Sequence, residues 1–469
     1  MAKYLGLRGE TLGRVRILLV VVPSFLLFGC LIGALVSISV GNPFGRRRAL
    51  VTFAIIAAIG LTLQASSFTL DQLVIGRIIS GVGVGGVNAV VPVWQAECSK
   101  PKNRGKNVVV LGIFIASGIG LASWVNFGLS FHQKNSVCWR LPLALPLIFC
   151  AFICSSAFLF PESPRWLVQK GKLDEAKTVL SILEDINVES EHVAVELQCL
   201  QDAYARQSAR EQGFVDLFKP GRQRLLYRTI LSILINFCAQ MTGANVITYY
   251  GTTIFRQSLG FGPQQASVLA AGLLTWKILA ASLAYYFVDR AGRKPLFMIA
   301  GVGMGASMMC LAITVSQIQH SGAGAAATFF LFMFMFFFPL GFLGANFLYG
   351  TEIAPQELRI HLSAIGTSSH WLFNFVIAEI TPIAFTSIGY RYYIVYACTG
   401  IAVAPMVYFL FPETNGWSLE EMDRVFSEPE HWWQVTSAAR RLPRGVLADI
   451  ENMEEKMTEG SQVEKSQEE

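Results

Sequence analysis

Charge is what this chain most lacks. Asp, Glu, Lys and Arg make up 15% of its 469 residues, where soluble proteins carry about 25%. The net charge of +5 does not point to nucleic acid, because the cations stand in short loops beside apolar runs, where they report topology. Paired cysteine spacing is absent too. The nine cysteines are scattered, and Cys150, Cys154, Cys238, Cys310 and Cys398 lie inside apolar runs as small packing residues. That excludes a disulfide framework and a zinc site. No Ser/His/Asp grouping, metal-spaced cluster or phosphate-binding loop occurs, so neither an enzyme nor a cofactor is expected. Gly81-Val-Gly-Val-Gly-Gly86 resembles a nucleotide loop only superficially: it lies mid-span with no Lys-Thr after it, and helix–helix close approach accounts for its glycines.

What the chain has in excess is long apolar runs. Apolar residues make up 53% of it, and runs of about 18 residues or more recur, each able to cross a ~30 Å hydrocarbon core as a helix. The expected fold class is all-α: a polytopic membrane protein with about eleven spans, at 17–40, 49–66, 73–96, 107–130, 140–160, 229–254, 265–288, 296–316, 324–350, 361–385 and 391–411. The run from Ile17 is too long for a removable signal peptide and carries no cleavage motif. The loops alternate in charge. Arg46 to Arg48, Lys100/Lys102/Arg104/Lys106, the segment 161–228 and Arg290/Arg293/Lys294 are basic, while the loops near Ser66, Phe131, Gln257, Gln317 and Ser387 nearly lack Lys and Arg. The basic set and the tail after Phe411 are therefore expected in the cytoplasm.

A basic turn, Gly41-Asn-Pro-Phe-Gly-Arg-Arg-Arg48, is echoed by Val288-Asp-Arg-Ala-Gly-Arg-Lys294. Glu97 precedes Arg104 by seven residues, as Glu352 precedes Arg359, and Pro161-Glu-Ser-Pro-Arg-Trp166 is matched by Pro412-Glu-Thr-Asn-Gly-Trp417. The three pairs keep their order, each offset by about 250 residues. A duplicated chain follows: residues 1–160 an N-terminal bundle of about five spans, 161–228 a cytoplasmic linker with short helices, 229–411 a six-helix C-terminal bundle, and 412–469 a cytoplasmic tail. Leu173-Asp-Glu-Ala-Lys-Thr-Val-Leu-Ser-Ile-Leu183 has the spacing of an amphipathic helix, and the tail from about Glu428 is expected to be disordered. Matched acids and bases at the cytoplasmic span ends predict a gate clamping the halves: Arg46, Arg47, Glu97, Arg104, Glu162 and Arg165 in the first half, and Asp289, Arg290, Arg293, Glu352, Arg359 and Glu413 in the second. Opening such pairs would let two repeats rock about a central site, which is the basis of alternating access. Positive-inside anchoring alone requires the cations but not the acids.

These turns, with Gly76-Arg77-Ile-Ile-Ser-Gly81, Pro92-Val-Trp-Gln-Ala-Glu97, Gln240-Met-Thr-Gly-Ala-Asn245 and Tyr249-Tyr250, resemble the sugar porter family of the major facilitator superfamily over nearly the whole chain. Ala2-Lys-Tyr-Leu-Gly-Leu-Arg-Gly9 and the acidic tail look like its filamentous-fungal members. The resemblance implies a twelve-helix monomeric transporter in the lipid bilayer of the plasma membrane, commonly a hexose–proton symporter, with a small-molecule sugar and protons as its partners. It also implies sugar contacts at Gln240, Asn245, Asn374 and the aromatic Phe347, with Tyr249 and His370 beside them. Departures from the pattern (Ala239 for a glutamine, Phe347 for a tryptophan, His370 for an asparagine, no glutamine in span 107–130) leave a polyol or quinate-like solute open. Ionisable groups deep in spans are functional candidates by default, which singles out Arg77, Lys277 and Glu379.

One span is missing. Two spans precede the second Gly-Arg turn and only one, 17–40, precedes the first, with cations on both flanks that a single crossing cannot place on one side. Phe28-Gly29 runs straight into Cys30-Leu-Ile-Gly, as though the end of one helix and the start of the next had been excised. The resemblance then implies loss of the Asp that exchanges a proton opposite Arg77. Asn42 stands where the second turn has Asp289, so a weaker first-half gate is expected. A transporter and a transport-inactive sugar sensor both remain open.

Overall fold

The computed structural model describes residues 12–99, 104–131, 136–208, 214–221, 223–355, 358–417, 419 and 421–442. Among them every regular element is a helix, because a helix satisfies its own backbone donors and acceptors where lipid offers none. The first half comprises α1 (Leu12–Phe44), α2 (Arg46–Ala65), α3 (Leu70–Glu97), α4 (Arg104–Ser130), α5 (Val137–Ala144) and α6 (Pro146–Ser156). Three short helices follow, α7 (Pro164–Gln169), α8 (Leu173–Glu184) and α9 (Glu191–Ser208). The second half holds α10 (Leu225–Met241), α11 (Ala244–Thr253), α12 (Pro263–Ala291), α13 (Arg293–Ser316), α14 (Ala323–Phe342), α15 (Ala345–Glu352), α16 (Arg359–Ser387) and α17 (Arg391–Leu410), with α18 (Met422–Ser427) and α19 (Val435–Arg441) after it. Gly243 and Gly344, both at positive φ, separate α10 from α11 and α14 from α15 inside single spans.

Ten segments among the described residues are long and apolar enough to cross a membrane. The expected span at 361–385 is the 29-residue α16, which falls below that hydropathy because it carries Ser363, Thr367, Ser368, Ser369, His370 and Asn374.

The missing span has a clear geometric outcome. α1 is one unbroken helix, packed along α3 and against α16; α12 packs along α14 and against α4. The two halves therefore meet along matched seams, α1/α16 and α12/α4, and α1 fills the place that α12 fills in the second half. No described helix corresponds to the α10–α11 span, which lies against α16 and α15. α1 runs unbroken from Leu12 to Phe44, so positions 14 and 16 stand at one of its ends and the turn leading to Arg46 at the other.

Glycines decide that α1 docks on α3. A Cβ on Gly33 would lie 2.0 Å from the Val82 carbonyl oxygen, and one on Gly85 would lie 2.0 Å from that of Cys30. Gly29 and Gly81 are as tight, at 2.3 Å from the Ile78 oxygen and 2.2 Å from the Leu26 oxygen. Gly29/Gly33 and Gly81/Gly85 are thus facing small-xxx-small surfaces, the means by which helices approach closely in lipid.

The amphipathic segment at 173–183 is α8, and with α7 and α9 it closes a separate small core around Trp166, Leu180 and Val193. The tail differs from expectation. Through Leu442 it is folded, with Val435 and Ala439 buried in the second half's core beside Met422 and Phe426, because these few apolar residues sit at helical spacing within a polar stretch. Residues 443–469 lie outside the described residues.

Replacing Gly85 by Leu should unseat α1, lowering the melting temperature in detergent by more than about 5 °C. Gly118→Leu, whose Cβ would meet nothing within 4 Å, should leave it nearly unchanged. Equal melting temperatures for the two variants would refute this account of the seam.

Candidate functional site

Each basic turn is built on a glycine with φ near +85°: Gly45 at 84° and Gly292 at 87°. A side chain at either would be strained, and would also collide with the carboxylate that follows. The Cβ would come 2.7 Å from Glu162 Oε2 in one turn and 2.6 Å from Glu413 Oε2 in the other. These acids cap the next helix. The backbone N–H groups of Arg46 and Arg47 donate to Glu162 at 3.0 and 3.1 Å, and those of Arg293 and Lys294 donate to Glu413 at 2.9 and 3.0 Å. A carboxylate at a helix N-terminus satisfies orphan donors and complements the dipole.

The arginine after each glycine turns inward. Arg46 grips Glu97 with two bonds, Nε to Oε2 at 2.9 Å and Nη2 to Oε1 at 3.1 Å. Arg293 donates to Glu352 Oε1 at 3.0 Å and to Asn415 Oδ1 at 2.6 Å, while the Thr414 hydroxyl donates to Glu352 Oε2 at 2.6 Å. Both arginines also reach back to the carbonyl five residues earlier, Gly41 at 3.5 Å and Val288 at 3.4 Å. Arg46 thus forms a two-bond pair with Glu97 although position 42 holds no acid. Arg165 donates to the Glu97 carbonyl at 3.0 Å, and the Arg47 side chain leaves the cluster for the Phe160 carbonyl.

One of these contacts joins the halves. Arg359, fully buried on α16, lies 3.6 Å from Glu97 Oε1, and one turn on the Ser363 hydroxyl donates to the Ala89 carbonyl of α3 at 3.1 Å. The halves are thereby joined at the end of the bundle that carries the basic turns. Arg290 was expected in this gate, but it is exposed and forms no ion pair among the described residues, because its place in the last turn of α12 faces it away from the buried cluster. The side chains of Arg104 and Asp289 lie outside the described residues.

Deeper in the second half, the six positions proposed to meet solute are gathered. Gln240 Nε2 lies 2.8 Å from His370 Nε2 and 2.9 Å from its Nδ1, and the Asn245 amide donates to Gln240 Oε1. The Phe347 ring stands 4.9 Å from the imidazole centroid. One turn along α16, Asn374 donates to the Tyr249 hydroxyl at 3.2 Å. The breaks at Gly243 and Gly344 bring α11 and α15 to this point.

Beside the cluster, a cavity of about 790 Å³ opens between the halves, toward the ends of α1 and α3 opposite the Arg46–Glu97 pair, lined by α1, α3, α4, α11, α12 and α16. It stands where the first half lacks its counterpart of α10–α11. Tyr249, 47% exposed, belongs to both the cavity wall and the cluster. Arg77 lines the cavity, and its Nε is buried with no hydrogen-bond partner among the described residues. Lys277 is buried on α12, its ammonium 5.0 Å from the Phe338 ring centroid. Glu379 is half-buried on α16 and forms no ion pair among the described residues.

Sequence inspection passed over Asn236 and Asn126 here. A buried amide pair, Asn346 donating to Asn236 at 2.9 Å, ties α15 to α10. Asn126 of α4 lines the cavity; a lone amide within an apolar span was its signal.

A family model described as Sugar (and other) transporter matches residues 6–426. Among similar proteins, the Sugar transporter STL1 of Saccharomyces cerevisiae is 31% identical over 90% of this chain and 75% of its own length. The MFS-type transporter oryC of Aspergillus oryzae is 35% identical over 85% of this chain and 75% of its own. Of solved structures, the MFS proton:xylose symporter XylE bound to 6-bromo-6-deoxy-D-glucose superposes with a TM-score of 0.81 at 24% identity, covering 90% of this chain and 92% of that one. The inward-open form of XylE, from E. coli, superposes with a TM-score of 0.64 at 24% identity, covering 90% of this chain and 92% of that one.

Cys98 follows Glu97 directly, and burial, reinforced by the charges of Glu97 and Glu162, pushes its thiol up to about 12. It should be unreactive while the clamp is shut. In a chain whose other cysteines are replaced, Glu97→Gln or Arg359→Gln should speed labelling of Cys98 by a cytoplasmic maleimide at least about tenfold, since the thiolate is the reacting form. Unchanged labelling in both variants would show that this cluster does not close the halves.

Proposed function

We infer, because the chain belongs to the Sugar (and other) transporter family, that its two helical halves carry a sugar across a membrane by alternating access. One asymmetry carries this reading. The halves are joined by a buried ion pair at the cytoplasmic end and parted by a solute-sized cavity on the outer side. Rocking the halves about the seams α1/α16 and α12/α4 would exchange these two ends.

The solute is read as a sugar, the class named for STL1. A sugar presents many hydroxyls and an apolar C–H face, so its pocket needs neutral donors and acceptors together with an aromatic surface, since unpaired polar groups in a closed site are costly. Gln240, Asn245, His370, Asn374 and Tyr249 supply the first, and Phe347 the second. In the resting arrangement the amides and imidazole satisfy one another, and a sugar exchanges those bonds for its own. Glu97, Arg359, Arg46 and Arg293 with their acids form the gate.

XylE is named a proton symporter, but Arg77 here has no acid partner among the described residues. Movement of the sugar is therefore proposed to run down its own gradient without a proton. The protein is proposed to act as a monomer in the plasma membrane.

In cells lacking their own hexose carriers, expression should confer uptake of labelled glucose that a proton uncoupler leaves unchanged. Gln240→Ala should lower that uptake about tenfold or more, the loss expected for one strong solute hydrogen bond with its partners left unpaired. Uncoupler-sensitive, pH-dependent glucose uptake would overturn the uncoupled mechanism. Solute binding without any uptake would replace the transporter by a sugar sensor.

A further inference from the structure

We propose that the outer cavity takes a polyhydroxylated carboxylate, a sugar acid, and that Arg77 is the residue that recognises its anion. The proposal rests on the transport reading for the solute's path and narrows the solute's class. Its basis is a mismatch of charge. Arg77 stands seven residues into α3, about 10 Å along the helix, where an unpaired guanidinium is costly. It forms no ion pair among the described residues. Glu379, which follows the cavity residue Ala378 on the facing helix α16, forms no ion pair with Arg77 among the described residues. Asp71, on Arg77's own helix, is exposed at its first turn.

None of the cavity's lining residues is Asp or Glu. The polar wall is neutral, with Ser24, Ser123, Asn126, Thr248, Tyr249 and Ser267. Ser24 Oγ and Arg77 Nε are both buried there without a hydrogen-bond partner. A site with one cation and a ring of hydroxyl and amide groups is complementary to one carboxylate on a polyol frame. Guanidinium matches a carboxylate in two parallel bonds, and the volume of about 790 Å³ is within the usual range for small-solute sites.

A second cation lies on the way inward. Leu274 lines the cavity, and Lys277, one turn further along α12, is buried with only the Phe338 ring against its ammonium. It too forms no ion pair among the described residues. A neutral sugar would leave both cations uncompensated, whereas a carboxylate would meet Arg77 first and Lys277 deeper. A phosphate dianion would call for more cations at one point than the wall provides.

The test compares two probes that differ only at C6. Binding of glucose and of glucuronate to the purified full chain in detergent is measured by calorimetry at fixed ionic strength. Glucuronate should bind at least about tenfold more tightly, as expected for one charge-assisted pair. Arg77→Gln should abolish the preference, Arg77→Lys should retain part of it, and Gln240→Ala should weaken both probes alike. Glucose binding as tightly as glucuronate would overturn the proposal and leave sugar transport standing. Binding of neither would overturn both. A preference that survives Arg77→Gln would remove Arg77 as its cause. If Arg77→Gln does not fold, the wild-type ratio and Arg77→Lys decide the matter.

Discussion

The Glu97 carboxylate is the point on which the closed state depends. It accepts two bonds from Arg46 of its own half and faces Arg359 of the other. Two buried guanidinium groups thus share one acid. Removing one partner of a buried pair typically costs about 3–5 kcal/mol because it strands the other charge. The surrounding apparatus exists to hold that acid in place: Arg165 fixes the carbonyl of Glu97, and Glu162 pins the turn that delivers Arg46. Gly45 gives the turn the room and the dihedral it needs.

Much of this was legible in the sequence because a duplicated chain prints its constraints twice. The Glu162/Glu413 and Gly45/Gly292 correspondences are contacts, not resemblances alone: the same carboxylate caps the same helix in each half. Other parts were not legible. Arg290 and Arg293 flank the same glycine, Gly292, yet the first ends α12 exposed and the second begins α13 buried. The tail beyond Glu428 reads as polar by composition, yet Val435 and Ala439, one turn apart, are enough to anchor it. The cluster at Gln240 depends on α10, α11, α15 and α16 meeting, and no local spacing encodes that meeting.

The absent span was legible as a count but not as a shape. A shortened first half could have been filled by α1 in either of two places. Gly29 and Gly33 chose: they match Gly81 and Gly85, and only the seam on α3 lets four glycines interlock. The second-helix position is therefore occupied and the first is not. Its place is an outer cavity walled by α4 and α11, with Arg77 facing into it. The unbroken α1, the cavity and a guanidinium with no ion pair among the described residues all go with the one place in the first half that no described helix fills.

The same geometry says where the energy of a switch would be concentrated. The caps at Glu162 and Glu413 and the pairs Arg46–Glu97 and Arg293–Glu352 lie within one half or the other, so rocking the halves need not disturb them. What must break at the cytoplasmic end is the Glu97–Arg359 contact, the Ser363 bond to the Ala89 carbonyl and the packing of Ile360 against Gly41. The ion contact is long, at 3.6 Å, and Glu97 keeps its bidentate bond to Arg46 when it parts. A charge that stays paired on one side loses little when the other side leaves. Under the proposed rocking of the halves, the clamp therefore opens without stranding its acid.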